Sequence, residues 1–249
     1  MNSQRDSSER VLPEPGRGVF ETVLVCAGVP VELERHLARL DRSVRDLYGD
    51  GLPDVSAALI GAAARDLSVG RVRLTVVPRS GGLVAEVTAT PVAPELVFPA
   101  WEQASTLTPF VATPIGAHKW ADRDVLERFE KSAHPTVPLL VTDRGAVLEA
   151  SRGNVFVVID GALVTPPTDG RILPGISREL VLELARDEGI DVSERPVRLD
   201  ELQASDEVFL TGAVRGVEPV VECADRTWSE GVVTPRLATG LRDCWRTET

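Results

Sequence analysis

The sequence predicts an α/β or α+β fold built as two lobes. Segments with strand-like and helix-like patterning alternate along it, and they do so on both sides of a proline-containing stretch without clear periodicity. A length of 249 residues is enough for one large domain or two smaller ones that share an interface. Hydrophobic residues make up 43% and charged residues 26%, the balance of a globular protein.

The opening "MNSQRDSSERVLPEPGRG" is polar and mixed in charge, so residues 1–17 are expected to form a flexible arm. The arm lacks the apolar core of a signal peptide, which makes a cytoplasmic protein the expectation. "GVFETVLV" reads as a strand. In "LERHLARLDRSVRDLYG", Leu33, Leu37, Leu40, Val44 and Leu47 fall at helical spacing, with Gly49 as the stop. "DVSAALIGAAARDL" predicts a second helix capped by Asp54, and "RVRLTVVP" and "LVAEVTATPV" a hairpin turned by "RSGG". The stretch from Pro94 to Pro114 suits a linker. Beyond it "ADRDVLERFEKSA" is helical, four short strands follow in "VPLLVTD", "AVLEA", "NVFVVID" and "ALVTP", and "SRELVLELARDEGI" is an amphipathic helix. "DEVFLTGA" and "GVEPVVEC" are strands, and a short helix ends the chain.

Composition excludes several functions. A net charge of −11 argues against nucleic acid or an anionic membrane as the main partner, and 4% aromatics against a base-stacking surface. Cys26, Cys223 and Cys244 are scattered without a CxxC, and the three histidines lack ligand spacing, so no metal site is expected. No apolar run approaches the roughly 20 residues of a membrane helix.

Lysine usage singles out one position. Of 27 basic residues only Lys119 and Lys131 are lysine; the other 25 are arginine. Arginine replaces lysine as a surface charge but not in chemistry that needs a neutral amine. By itself a lysine before a helix is usually a solvated charge. Other segments are equally ambiguous alone. "LPGISRE" is either a helix start that seats a phosphate or an ordinary serine cap. "FLTGAVRG" is an anion-binding turn or a plain one, and Glu149 in "EASRGNVF" a partner for a pyridine nitrogen or a cross-strand polar group. Arg39, one helical turn beyond Arg35, is a phosphate clamp or an exposed charge.

Taken in order, "GVFET", "RHLARLDRS", "HKWADR", "EASRGNVF", "LPGISRE" and "DEVFLTGAVRGVEPV" resemble the successive motifs of the class IV, or fold-type IV, pyridoxal-phosphate enzymes, a family of branched-chain and D-amino-acid aminotransferases and aminodeoxychorismate lyase. The resemblance runs from Gly18 to Val220. It implies a smaller N-terminal α/β lobe (18–108), a linker at 109–116, a larger pseudo-barrel-like C-terminal lobe (117–249), a homodimer, and pyridoxal 5'-phosphate as cofactor. It also implies that Lys119 bonds to the cofactor and moves the proton, and that Arg39 belongs to the phosphate cup. Glu149 then pairs with the pyridine nitrogen, Ile176 and Ser177 bind phosphate at the helix start, and Gly212 and Ala213 form the second phosphate turn. Ala213 departs from the hydroxyl often found there, with Thr211 nearby, and "PEPGRG" departs from the "FGDG"-like lead into the first strand.

Within the family, Lys119 followed by "WADR" and the segment "AVRGV" are similar to aminodeoxychorismate lyases. The tyrosine that aminotransferases commonly place after the lysine is missing: position 124 is Asp, and the one tyrosine is Tyr48. This implies elimination of pyruvate from 4-amino-4-deoxychorismate to give 4-aminobenzoate. Arg215, then Arg79 and Thr22, are candidates for its carboxylates. The alternative is an aminotransferase acting on a D-amino acid or a branched-chain amino acid. A non-catalytic descendant is disfavoured by the presence together of Lys119, Arg39 and Glu149.

Overall fold

The computed structural model describes residues 12–247, so most of the expected N-terminal arm lies outside the described residues. The first sheet is antiparallel and forms from β1 (Val19–Cys26), β2 (Val29–Pro30), β3 (Val69–Arg79) and β4 (Gly82–Pro91), with α1 (Leu33–Tyr48) and α2 (Ser56–Ala64) inserted between β2 and β3. Its strand order is β2-β1-β3-β4. β1 is buried along nearly its whole length, whereas β4 is mostly exposed. Leu40 and Val44 of α1 and Ile60 and Ala64 of α2 pack on Val23, Val25, Val72 and Leu74 of the sheet. The α1 stop is as expected: Gly49 has φ 71° and returns its N–H to the Arg45 carbonyl at 2.9 Å. The expected Asp54 cap is not made. Val55 precedes α2, and the Ser56 N–H and hydroxyl both turn back to the Pro53 carbonyl, at 3.0 and 2.6 Å.

The rest of the chain builds a nine-stranded mixed sheet. In chain order its elements are β5 (Ser105–Val111), α3 (Asp124–Ala133), β6 (Val137–Val141), β7 (Val147–Ala150), β8 (Asn154–Ile159), β9 (Ala162–Thr165), α4 (Ile176–Asp187), β10 (Val192–Glu194), α5 (Leu199–Ala204), β11 (Glu207–Gly212), β12 (Gly216–Cys223), β13 (Arg226–Thr227) and α6 (Val233–Thr247). The strand order is β10-β9-β8-β11-β12-β5-β6-β7, with β13 on β12. β7, at one end, meets β8 through an Ala150–Gly153 bridge, so the sheet curls back on itself. One apolar cluster (Leu107, Leu139, Val157, Leu210, Val220) lies against β5, β6, β8, β11 and β12; a second packs α4 and α6 on Phe156 and Phe209, whose rings stack at 4.9 Å. The terminal helix is longer than expected, at 15 residues.

The joint between the sheets needs a correction. β5 pairs with β6 and β12, so the crossing falls at residues 92–104, and the first three residues of the expected 109–116 linker are strand. Pro109 sits within β5, in parallel register with Leu139. The Lys119 segment is stitched onto β1: the Phe20 N–H donates to the Lys119 carbonyl at 2.8 Å, and the Ala121 N–H to the Gly18 carbonyl at 3.0 Å. The reactive-lysine candidate is therefore held where the two sheets meet.

Candidate active site

A cavity of about 1390 Å³ opens between the sheets and takes walls from both. Lys119, Arg39, Glu149, Ile176, Ser177, Gly212 and Ala213 all line it, as do Thr22 and Arg215. Arg79 does not. It lies at the exposed end of the β3–β4 hairpin, in a loose 3.7 Å ion pair with Glu86. Arg71 and Arg73, further down the same strand, reach the cavity instead.

One side of the cavity is built on a buried charge network. Glu21 of β1 is 1% exposed. It accepts hydrogen bonds from Arg39 Nε and Nη2 at 2.7 and 2.8 Å and faces His36 Nδ1 at 2.8 Å. Burial alone would push the Glu21 carboxyl up, but Arg39 and then His36 outweigh it and hold it well below the carboxylate range. Burial pushes the His36 imidazole down, against the pull of Glu21. Arg39 Nη1 then donates to the Pro174 carbonyl at 2.9 Å, just ahead of α4. Gly175 caps that helix with no side chain, so no side-chain cap occupies the first-turn N–H groups, and Ser177 lies inside the helix rather than at its cap. A Cβ on Gly175 would sit 2.0 Å from Asn154 Oδ1, so a side chain there would displace the Asn154 carboxamide.

The Glu149 side is unsettled. Glu149 of β7 receives only two long hydrogen bonds on Oε2, from the Leu173 N–H at 3.3 Å and Asn154 Nδ2 at 3.4 Å. Burial pushes its carboxyl up to about 8, against the Leu173 N–H and the charge of Lys119. Lys119 makes no ion pair within 4.0 Å among the described residues, and its Nζ lies 5.3 Å from the Phe20 ring centre. Burial and the neighbouring Arg39 bring its amine down to about 8, with Glu21 opposing. Thr211, 2% exposed, leaves its buried hydroxyl without a partner. A Cβ on Gly153 would fall 2.5 Å from the Thr211 carbonyl, so the turn after β7 and the end of β11 touch backbone to backbone.

This donor set fits a phosphate-bearing cationic heterocycle with a reactive carbonyl: an uncapped helix start, an orphaned hydroxyl, a carboxyl lacking a cation, and an amine close to neutrality. Glu21 and His36 are the residues that sequence reasoning missed. For Glu21 a signal existed, since a lone carboxylate in the middle of an otherwise apolar strand must be paired if the strand is buried on both faces. Asp122 of "KWADR" lines the cavity and accepts from the Glu14 N–H and Arg17 Nη1, both at 2.9 Å.

Residues 18–223 match the family described as "Amino-transferase class IV". A protein of Methanocaldococcus jannaschii, provisionally named a branched-chain-amino-acid aminotransferase, is 30% identical over 92% of this chain and 87% of its own length. The solved 4-amino-4-deoxychorismate lyase of Pseudomonas aeruginosa is 31% identical, with a TM-score of 0.77 over 92% of this chain and 91% of that one. An aminotransferase from Brucella abortus, bound to pyridoxal phosphate, is 26% identical with a TM-score of 0.77 over 95% of this chain and 93% of that one. By the family match over most of its length, the chain belongs to the class IV aminotransferase family of fold-type IV enzymes, which work with pyridoxal phosphate.

Proposed function

We propose that the chain is a lyase that eliminates pyruvate from 4-amino-4-deoxychorismate and leaves 4-aminobenzoate. The observation that carries this reading is Arg73. Its guanidinium lies 4.2 Å from the centre of the Phe20 ring, the ring that Lys119 Nζ also approaches, and it has no carboxylate within 4.0 Å among the described residues. An arginine without an ion-pair partner, on the wall of the cavity that also holds the reactive amine, suits a substrate that carries carboxylates. Arg215 and Thr22 line the same cavity and complete the candidates. The likeness to the Pseudomonas aeruginosa lyase supports the same reading.

Arg39, the Ile176 and Ser177 end of α4, the Gly212–Ala213 turn and the Thr211 hydroxyl would hold the phosphate. Glu149 would hold a proton at the ring nitrogen, an ion pair that draws its own pKa back down. When bound, pyridoxal phosphate supplies an electron sink for a carbanion next to the substrate amine. Lys119, with a pKa of about 8, keeps a usable neutral fraction near pH 7 and takes the proton from substrate C4. The electron pair expels the neighbouring enolpyruvyl oxygen. The ring becomes aromatic, and the departing enolate gains a proton to become pyruvate. Because Arg cannot lose its proton, only a lysine at position 119 serves both needs.

The test is to supply aminodeoxychorismate, generated enzymatically, to the loaded protein and measure both products. Equal amounts of 4-aminobenzoate and pyruvate, lost in Lys119→Ala, support the lyase. A borohydride-fixed pyridoxyl group on Lys119 without either product rejects it and leaves the second reading. That reading, an aminotransferase for a branched-chain or D-amino acid, is favoured by the archaeal relative's name. An amino-donor screen with pyruvate and 2-oxoglutarate tests it.

A further inference from the structure

A second cationic station lies in the same cavity, around the candidate Arg215. β8 pairs with β11, Asn154 facing Thr211, so the turn between β7 and β8 lies beside the turn between β11 and β12. Arg152 is on the first turn and Arg215 on the second, and both line the cavity. Beneath them, on β12, Glu218 is only 2% exposed. Its Oε1 accepts from Arg152 Nη2 and from the Ser105 hydroxyl, and its Oε2 lies 2.8 Å from Arg215 Nε. Arg152 Nη2 also reaches Ser105 Oγ, at 2.7 Å. The Arg215 contact is too bent for a hydrogen bond, so that buried N–H still lacks an acceptor.

Two guanidinium groups therefore share one buried carboxylate and keep a surplus positive charge at the cavity wall. The Arg152 and Arg215 side chains remain 40% and 20% exposed, while that of Glu218 is 3% exposed. A carboxylate taken out of water needs its partners, and here they are the groups it orients. The ideal Cβ of Gly212 lies 3.3 Å from the Arg152 carbonyl, which ties this station to the second phosphate-turn candidate. Arg73, by contrast, belongs to the other sheet, against the Phe20 ring.

We propose that Glu218 is a positioning residue that aims Arg152 and Arg215 at one carboxylate of a dicarboxylate substrate, whose other carboxylate is met by Arg73. The proposal rests on the reading that this cavity receives substrate beside Lys119, and it makes dicarboxylates the substrate class. Bidentate guanidinium–carboxylate pairing depends on orientation as well as charge, which is what a buried anchor provides.

The experiment is calorimetric binding of isophthalate and benzoate, two planar acids that differ by one carboxylate, to the pyridoxal-phosphate-loaded protein. Wild type is expected to prefer isophthalate by about tenfold, the worth of one charge-assisted contact. The preference should fall to about twofold or less in Arg152→Leu and in Arg215→Leu, with the cofactor absorbance unchanged. Glu218→Gln discriminates positioning from charge: it raises the positive charge yet should lower the preference. A preference that stays or rises in Glu218→Gln overturns the positioning role, and no preference in wild type overturns the dicarboxylate site. Should Glu218→Gln not fold, the two arginine variants still decide the site, and Glu218→Asp, which keeps the charge and shortens its reach, decides the positioning. Lyase turnover without an isophthalate preference would sink this inference alone; the preference without turnover would sink the lyase reading alone.

Discussion

Two carboxylates beside the cavity, Glu21 and Glu149, have opposite fates, although Arg39, the partner of the first, and Glu149 itself bind the adjacent residues Pro174 and Leu173. Glu21 sits in the sheet of β1 to β4 with two short bonds from Arg39 and one contact to His36, and it is held ionised. Glu149 sits on β7 with two long, neutral donors, and burial raises its pKa to about 8. Burial penalises both, and the partners decide the outcome. The Glu21 side is complete as protein and serves to fix Arg39 against the start of α4. The Glu149 side lacks a cation, which in the proposed function arrives with the ligand.

The sharpest way to break this comparison is Glu21→Gln. Removing one partner of a buried pair typically costs about 3–5 kcal/mol, and urea denaturation should show a loss of that order. A loss below about 1 kcal/mol would mean that the Glu21 network is not structural. Cofactor affinity should also fall, since Arg39 loses its anchor.

Glu149→Gln should act in the opposite sense on the cofactor-free protein. With a folded pKa near 8 against an ordinary value of 4.5, the folded state holds a proton that the unfolded state has lost. Wild-type stability therefore falls as pH rises from 4.5 to 8, and the glutamine variant escapes that fall. Its melting temperature should match wild type near pH 4.5 and exceed it above pH 8, while loaded protein loses cofactor affinity. Lys119→Met complements it. The depressed lysine pKa, about 8 against 10.5, destabilises the folded state below pH 8 and relents as pH rises to 10.5. The methionine variant should be more stable at pH 7, with the gain fading by pH 10.5.

Smaller effects follow. Thr211→Val removes an orphaned hydroxyl, so the cofactor-free protein should melt within about 2 °C of wild type while pyridoxal phosphate binds several-fold more weakly. Equal affinity would remove Thr211 from the phosphate seat. Arg79→Ala should change turnover less than twofold and stability by less than about 0.5 kcal/mol, because its ion pair is exposed and loose. A larger effect on turnover would return Arg79 to the substrate site.

Much of the cavity was legible beforehand for a local reason. Lys119, Arg39, Glu149, Ile176, Ser177, Gly212 and Ala213 each belong to a short segment whose backbone shape is set by nearby residues, and the cavity collects all of them. Arg79 lies outside the cavity because strand parity does not say how far along a hairpin a cavity extends; Arg73 has the same parity and lines it. Glu218 was not legible, since its partners Ser105 and Arg152 are 113 and 66 residues away.

The sequence by itself determined the elements, the family motifs and the singular lysine, because periodicity, turn chemistry and the lysine–arginine imbalance are properties of short stretches. Tertiary structure alone decided which charges are finished and which are left open. It moved the joint between the sheets to residues 92–104 by pairing β5 with β6 and β12. It gave Glu21 an arginine and a histidine and left Glu149 no cation as near, so that two glutamates of identical chemistry differ in charge at neutral pH. The physical reason is that a pKa depends on desolvation and on the partners within a few ångströms, and those are set by which distant strands meet.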